Sequence, residues 1–295
     1  MSITERLANL SFPTVIITIV VLFALRWILL KQKYPMAKSI AELAESLAVA
    51  MGLVFLIIRP FFVQAFFIPS ASMHPTLLEH DHILVNKLVY RFKEPRLGDV
   101  VVFKAPLDAT PGELKEKDFI KRVIGVAGDL VRITPGYVIV GQAQYDHRYL
   151  ESMLRGYGSP TGEGKVKLTN GRVLVDGRLV SDSEVAAAFG EPNARVKVVP
   201  GVVYLNGKAI REPYIAEDPD LPYPLLAGPR ATNPEWIVTK DKVPHVKIPE
   251  GKLLVMGDNR NDSNDARFWG LLDRPRVLGK AMFIFWPLTR IKWVR

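Results

Sequence analysis

Hydrophobic and polar positions alternate in two different ways along this chain. From Leu7 to Leu25 no charged side chain interrupts the sequence, and after Arg26 the apolar run resumes as far as Leu30. That is about the 20 residues a helix needs to cross a bilayer. A cleaved signal peptide would carry basic residues first, a shorter apolar core and a small-residue cleavage site. Here most Lys and Arg follow the run, so it reads as an uncleaved spanning helix. A second apolar stretch opens at Ser39-Ile-Ala-Glu42, a capping-box pattern, and carries no charge from Leu47 to Ile58. Arg59-Pro60 interrupts it, because proline lacks an amide donor and disfavours helix in the residue before it. Arg26, Lys31, Lys33 and Lys38 lie between the two stretches, whereas few positive charges precede Leu7. The positive-inside rule then puts the intervening loop in the cytoplasm and both outer ends on the other side.

Beyond about Phe61 the period changes. His82–Tyr90, Asp99–Lys104, Phe119–Asp129, Val246–Met256 and Ala281–Trp286 are short runs rich in β-branched residues, and they predict strands. In the third, Phe119, Lys121 and Val123 share one face and Ile120, Arg122 and Ile124 the other, so one of the two charges is expected to point inward. The region from about Ile133 to Pro244 is richer in Gly, Pro and charge, with one expected helix, Asp182 to Phe189. Arg172–Val180 and Val202–Ile210 each set Asp-Gly or Asn-Gly between alternating strands, the composition of type I′ hairpins, and their similarity suggests a local duplication. Glu212 to Pro234 is Pro-rich and reads as a long surface loop. Trp286 and Trp293 read either as core or as aromatic anchors at a lipid interface. The expected organisation is a first transmembrane helix at 1–30, a cytoplasmic basic loop at 31–39, a second span at 40–65, a core from 66–132 with 245–295, and an insert at 133–244.

Composition narrows the options. At 295 residues and 48% hydrophobic the chain is too apolar for disorder, and it can bury a core. The formal charge of +9 suits anionic lipid as well as nucleic acid. With no cysteine there is no disulfide, thiolate metal site or Cys nucleophile.

The candidate chemistry centres on Phe66-Phe-Ile-Pro-Ser-Ala-Ser-Met-His-Pro-Thr-Leu77. Ser70 and Ser72 alternate along a Pro-bounded segment and so point the same way if it is extended. A serine nucleophile needs a base. None of the five histidines has an obvious acidic orienter, and the G-x-S-x-G and S-x-x-K signatures are absent. His80-Asp-His82 lacks a signalled third metal ligand. Lys121 fits better, since burial among apolar neighbours depresses a lysine pKa by several units and Ser-Lys pairs are an established variant of triad chemistry.

With these residues in view the chain resembles the bacterial type I signal peptidases, also called leader peptidases. Ile68–Leu77 resembles their nucleophile box, Asp81–Lys87, Arg96–Lys104 and Phe119–Gly125 their strand boxes, and Gly257–Arg267 their last one. The resemblance implies a mainly β catalytic domain of antiparallel sheets with a coiled, barrel-like core, two N-terminal transmembrane helices and a β-rich insert. It also implies a Ser72 nucleophile and a Lys121 general base, with the Ser70 hydroxyl and the Ser72 amide as oxyanion hole. Ser263 would orient the lysine, and Asp258 with Arg122 and Asp265 with Arg267 would be supporting ion pairs. Small substrate residues before the cut would meet Phe66, Ile68, Pro69, Met73, Leu77, Phe119 and Ile120. The implied partners are preprotein signal peptides and the lipid bilayer near the secretion translocon, without nucleic acid, cofactor or metal.

Three positions depart from the family pattern. Ala71 and His80 stand where glycine is usual, and Asn261-Asp262 inverts the usual order. Ala71 restricts access to positive φ. Two other functions stay open: a specialised relative with one dedicated substrate, and a catalytically silent membrane-anchored β-module, against which intact Ser72, Lys121 and Ser263 count. A soluble self-cleaving repressor would need a DNA-binding helix-turn-helix where this chain has apolar runs.

Overall fold

The computed structural model describes residues 11–58, 61–112, 116–158 and 162–295. The start of the first apolar run and the Arg59-Pro60 break therefore lie outside the described residues. Helix α1 (Phe12–Leu30) is capped by Ser11, whose hydroxyl accepts from the Thr14 amide. Helix α2 (Pro35–Gly52) runs on as a wider π-helical segment, Leu53–Ile58. Both are long and apolar enough to cross a membrane. They pack through Ala37, Ala41, Ala44 and Ala48, one small-residue stripe at three- and four-residue spacing that lets two backbones approach. Arg26 and Glu45 close the contact with an ion pair at 2.9 Å. Helix α2 begins earlier than its capping-box pattern suggested, because Pro35, with its fixed φ, takes the first turn and Tyr34 the cap position. Ser39 lies inside the helix.

The main sheet joins β1 (Val63–Phe67), β2 (His82–Asn86), β3 (Val100–Lys104), β4 (Asp118–Gly125), β16 (Lys252–Met256), β17 (Leu272–Asp273), β18 (Val277–Trp286) and β19 (Lys292–Trp293). Its order is β1-β2-β18-β3-β4-β16-β17, with β19 on β18 and antiparallel pairing throughout. It curls as a half-barrel. Register shifts at Val277/Gly279, Ala281/Phe283 and Ile284/Trp286 of β18 bend it, as bulges do. One face buries Ile68, Met73, Leu77, Ile83, Val85, Val102 and Ile284. The other packs Val101, Phe103, Val123, Leu254 and Met256 against a five-stranded sheet. That second sheet holds β5 (Leu130–Thr134), β12 (Val202–Leu205), β13 (Lys208–Ala209), β14 (Ile237–Lys240) and β15 (Val243–Lys247).

Residues 133–244 divide between two cores. Ile133, Val203 and Tyr223 join the main one. Val138, Val140, Leu150, Leu154, Val166, Leu168, Val173, Val175, Val180 and Val185 form a separate one. It is built by two three-stranded sheets, β6 (Tyr137–Val140) with β7 (Ala143–Tyr145) and β11 (Val196–Val199), and β8 (Val166–Thr169) with β9 (Arg172–Val175) and β10 (Arg178–Val180). The two hairpins have the expected turns: Asp176-Gly177 and Asn206-Gly207 all have positive φ. They belong to different sheets.

Several expectations need correction. The run from His82 stops being strand at Asn86, whose side chain accepts the Leu88 and Val89 amides and turns the chain into the short helix Val89–Phe92. The insert holds a second helix, His147–Leu154, capped by Asp146 and anchored by Leu150 and Leu154. Lys121 and Arg122 of β4 are both buried, because both faces of the sheet are covered there. Glu212 to Pro234 is a surface loop only in part: Glu217, Asp218 and Tyr223 on it are buried, while residues 226–231 are exposed. Trp286 and Trp293 are exposed, which excludes the core reading.

Candidate active site

Ser72 lies in one 3₁₀ turn, Ala71–Met73, on the strap between β1 and β2. Ile68 fixes this strap at its base, donating to the Asp81 carbonyl and accepting from the His80 amide, each at 2.9 Å. Met73 and Leu77, both 0% exposed, anchor its middle. Asp81 holds the return, accepting from the Leu78 amide and pairing bidentately with Arg290 at 2.8 and 2.9 Å. Ala71 has no positive φ, so its methyl group sits without backbone strain. His80 is the departure with a conformational consequence: its φ is 70°, the left-handed region that glycine enters freely.

Lys121 comes from the middle of β4, opposite Val101. It is only 4% exposed. Its Nζ donates to Ser72 Oγ at 2.8 Å and to the Ile120 carbonyl at 2.9 Å, and sits 5.5 Å from the Phe119 ring centroid. Burial pulls its pKa down to about 8, against the opposing charges of Asp265 and Asp258. Ser70 Oγ is 3.5 Å from Ser72 Oγ. A serine hydroxyl and a readily neutralised amine thus share one hydrogen bond, in a cleft of about 340 Å³ lined by Pro69, Ser70, Phe119, Ile120, Asp262 and Asn264.

The loop after β16 closes this arrangement. The Arg122 guanidinium meets Asp258 through Nε at 2.8 Å and Nη2 at 2.7 Å, and both side chains are buried. Thr76 Oγ1 donates to the same carboxylate from the strap, the Gly98 carbonyl accepts from Arg122 Nη1, and the Tyr214 ring centroid lies 3.9 Å from the guanidinium. Asp265 pairs with Arg267 Nε and Nη2 at 2.9 Å and accepts the Gly257 amide at 3.0 Å. Burial opposes ionisation of Asp265, but the Arg267 charge and these donors outweigh it and hold the carboxyl below its ordinary range. Removing one partner of such a buried pair leaves an uncompensated charge worth about 3–5 kcal/mol, so the pairs fix the loop's position.

The two expected ion pairs and the Ser72–Lys121 pair are therefore brought together. Ser263 is buried beside them, but its hydroxyl has no hydrogen-bond partner, so the expected lysine-orienting bond is not formed in this arrangement. Of the expected pocket residues, Pro69, Phe119 and Ile120 line the cleft. Ile68, Met73 and Leu77 are buried in the core beneath it, and Phe66 packs against that core half-buried. Thr76, Tyr214, Glu212 and Arg290 were missed. Glu212 pairs with buried Arg260 at 2.8 Å, which ties the 212–234 segment to the last loop. Only the alternation of charge within Gly257–Arg267 signalled such partners, and nothing local marked Tyr214 or Arg290.

The fold and this cleft define a mainly β hydrolase domain behind two apolar helices. The model of a family described as signal peptidase, peptidase S26, matches residues 40–184 and 185–286. The signal peptidase I of Aquifex aeolicus is 35% identical over 253 residues, covering 83% of each chain. The probable signal peptidase I-2 of Synechocystis is 29% identical over 261 residues, covering 88% of this chain and 80% of the relative. A solved signal peptidase I from Enterococcus faecalis matches 64% of this chain and 97% of its own at 17% identity, with a TM-score of 0.31. The chain belongs to the signal peptidase family, peptidase S26, and is a peptidase. Family membership and the two apolar helices together support anchoring in a membrane.

Proposed function

We propose that this protein is a membrane-bound serine endopeptidase that removes signal peptides from exported preproteins, cutting after small residues. The observation that carries this reading is the hydrogen bond between Lys121 Nζ and Ser72 Oγ within a buried setting. Neutral Lys121 takes the hydroxyl proton as Ser72 Oγ attacks the scissile carbonyl carbon. The oxyanion that forms accepts hydrogen bonds from the Ser70 hydroxyl and the Ser72 amide. The lysine ammonium then protonates the departing amine, which becomes the new N terminus. Lys121 next activates a water that cleaves the acyl-enzyme ester, releasing the signal peptide as a carboxylate and restoring the serine hydroxyl. Pro69, Phe119 and Ile120 leave shallow room before the cut, which favours small side chains by exclusion of larger ones.

Two experiments test this reading. Ser72→Ala and Lys121→Ala should each abolish cleavage of a preprotein in detergent while the protein stays folded, and sequencing the product's N terminus should place the cut after a small residue. Full activity in either variant refutes it. The basic loop between α1 and α2 also orients the catalytic domain outside the cytoplasm. Reporter fusions should place Lys33 in the cytoplasm and Arg295 on the other side of the membrane, and a cytoplasmic signal from Arg295 overturns that orientation.

A further inference from the structure

The cleft of Ser72 and Lys121 continues at its Asn264 end. Asn264 also lines a neighbouring cavity of about 600 Å³, walled by Asp108, Pro229, Arg230, Phe268 and Trp269. Those five residues also line a third cavity, of about 300 Å³, that ends against Tyr223 and Trp236. The three spaces thus share walls in succession, beginning with the cleft of the reacting pair, and together offer a groove.

The groove's walls are firmly built. Phe268 and Trp269 follow Asp265, which caps their short helix and is itself held by Arg267. Asp108 sits on a turn, Leu107–Ala109, that Asn264 Nδ2 ties in place through the Ala109 carbonyl at 2.9 Å. The Arg230 guanidinium lies 5.0 Å from the Phe268 ring centroid. Among the described residues, no carboxylate pairs with Arg230, and it forms no ion pair with Asp108 on the same groove. Tyr223 and Arg267, each more than nine-tenths buried, stand behind this wall and stiffen it.

A polypeptide cut at Ser72 is continuous through the site. With the signal-peptide side of the cut against Pro69, Phe119 and Ile120, the residues after the cut must leave past Asn264. We propose that this groove binds the first residues of the mature chain in extended form, and that Arg230 selects a carboxylate side chain among them. The aromatic floor of Phe268 and Trp269 takes the apolar side of that segment. This inference rests on Ser72 and Lys121 being the reacting pair.

The test uses the full chain in detergent micelles and synthetic peptides sharing one signal-peptide C-region. In the first series the segment after the cut lengthens stepwise from one residue to eight, and in the second a Glu or a Lys is walked along it. kcat/KM should rise about tenfold as the segment fills the groove, because binding energy remote from the cut is used at the cut. Glu should be preferred over Lys at one position, and Arg230→Glu should invert that preference. Rates indifferent to length, or a Glu-to-Lys ratio unchanged by Arg230→Glu, overturn the groove's role and leave the Ser72–Lys121 reading intact. Failure to cleave every peptide overturns both.

Discussion

Asn259 donates its backbone N–H to the carbonyl oxygen of Ser72 at 3.1 Å, and its side-chain amide reaches the Ala71 carbonyl at 3.2 Å. The last loop thus holds the serine's backbone directly. Two residues earlier, Gly257 leaves no room for a side chain: a Cβ there would lie 2.4 Å from the Ser72 carbonyl oxygen and 2.3 Å from Ser263 Oγ. One neighbour is backbone and cannot swing aside. Gly257→Ala should therefore push the serine turn away from Lys121 and lower kcat/KM about 100-fold, the scale of an ångström's misplacement, with the fold retained. Near-wild-type kcat/KM in a folded variant would contradict the tight contact.

The depressed pKa of Lys121 makes two linked predictions. Only the neutral amine serves as a base, so kcat/KM should rise with pH through about 8, and a rise centred near 10.5 would contradict burial of the group. Stability moves in the same direction. Between about 8 and 10.5 the unfolded chain binds the proton that the folded chain has released, so stability rises with pH across that window. Below it, holding the charge buried costs about 3 kcal/mol. Lys121→Met should be inactive, more stable at pH 7 and without that rise, as unfolding in detergent at pH 7 and pH 10 would show.

Asp218 and Glu217 form a buried acidic pair at the junction of the insert with the last loop. Asn261 Nδ2 donates to the Asp218 carbonyl at 2.9 Å, and both Glu217 carboxylate oxygens lack partners. Burial, reinforced by Glu217, pushes Asp218 up to about 6, and burial also raises Glu217 against the charges of Lys167, Lys165 and His147. A raised acid stabilises the fold at low pH and loses that contribution as pH climbs from about 4 through 6. Asp218→Asn should flatten this decline and raise the Tm at pH 7 by roughly 2–4 °C. An unchanged pH dependence of Tm would show that the pair is solvated.

Local chemistry made much of this legible. The apolar runs, the two Gly-containing hairpins and the strands of the catalytic boxes follow from side-chain period and turn composition. The Ser72–Lys121 pair was reachable because a lysine among Phe119, Ile120 and Val123 is anomalous for its setting. Periodicity also separated Lys121 from Arg122 onto opposite faces of β4. It could not reveal that both faces are covered, because covering is done by residues far along the chain.

The sequence by itself determined which segments are long and apolar enough to span a membrane, which pair as hairpins, and which residue types are candidates for the chemistry, since each depends on neighbours within a few positions. The tertiary structure alone decided how those residues meet. Thr76 reaches Asp258 across 182 positions, and Arg290 reaches Asp81 across 209. It also decided that Met73 and Leu77 lie under the cleft, that Tyr214 covers a guanidinium, and that Ser263 is packed against Gly257 without a hydrogen bond. Burial and ion pairing between distant segments are set by how the sheets close on one another, which no local pattern of polar and apolar residues records.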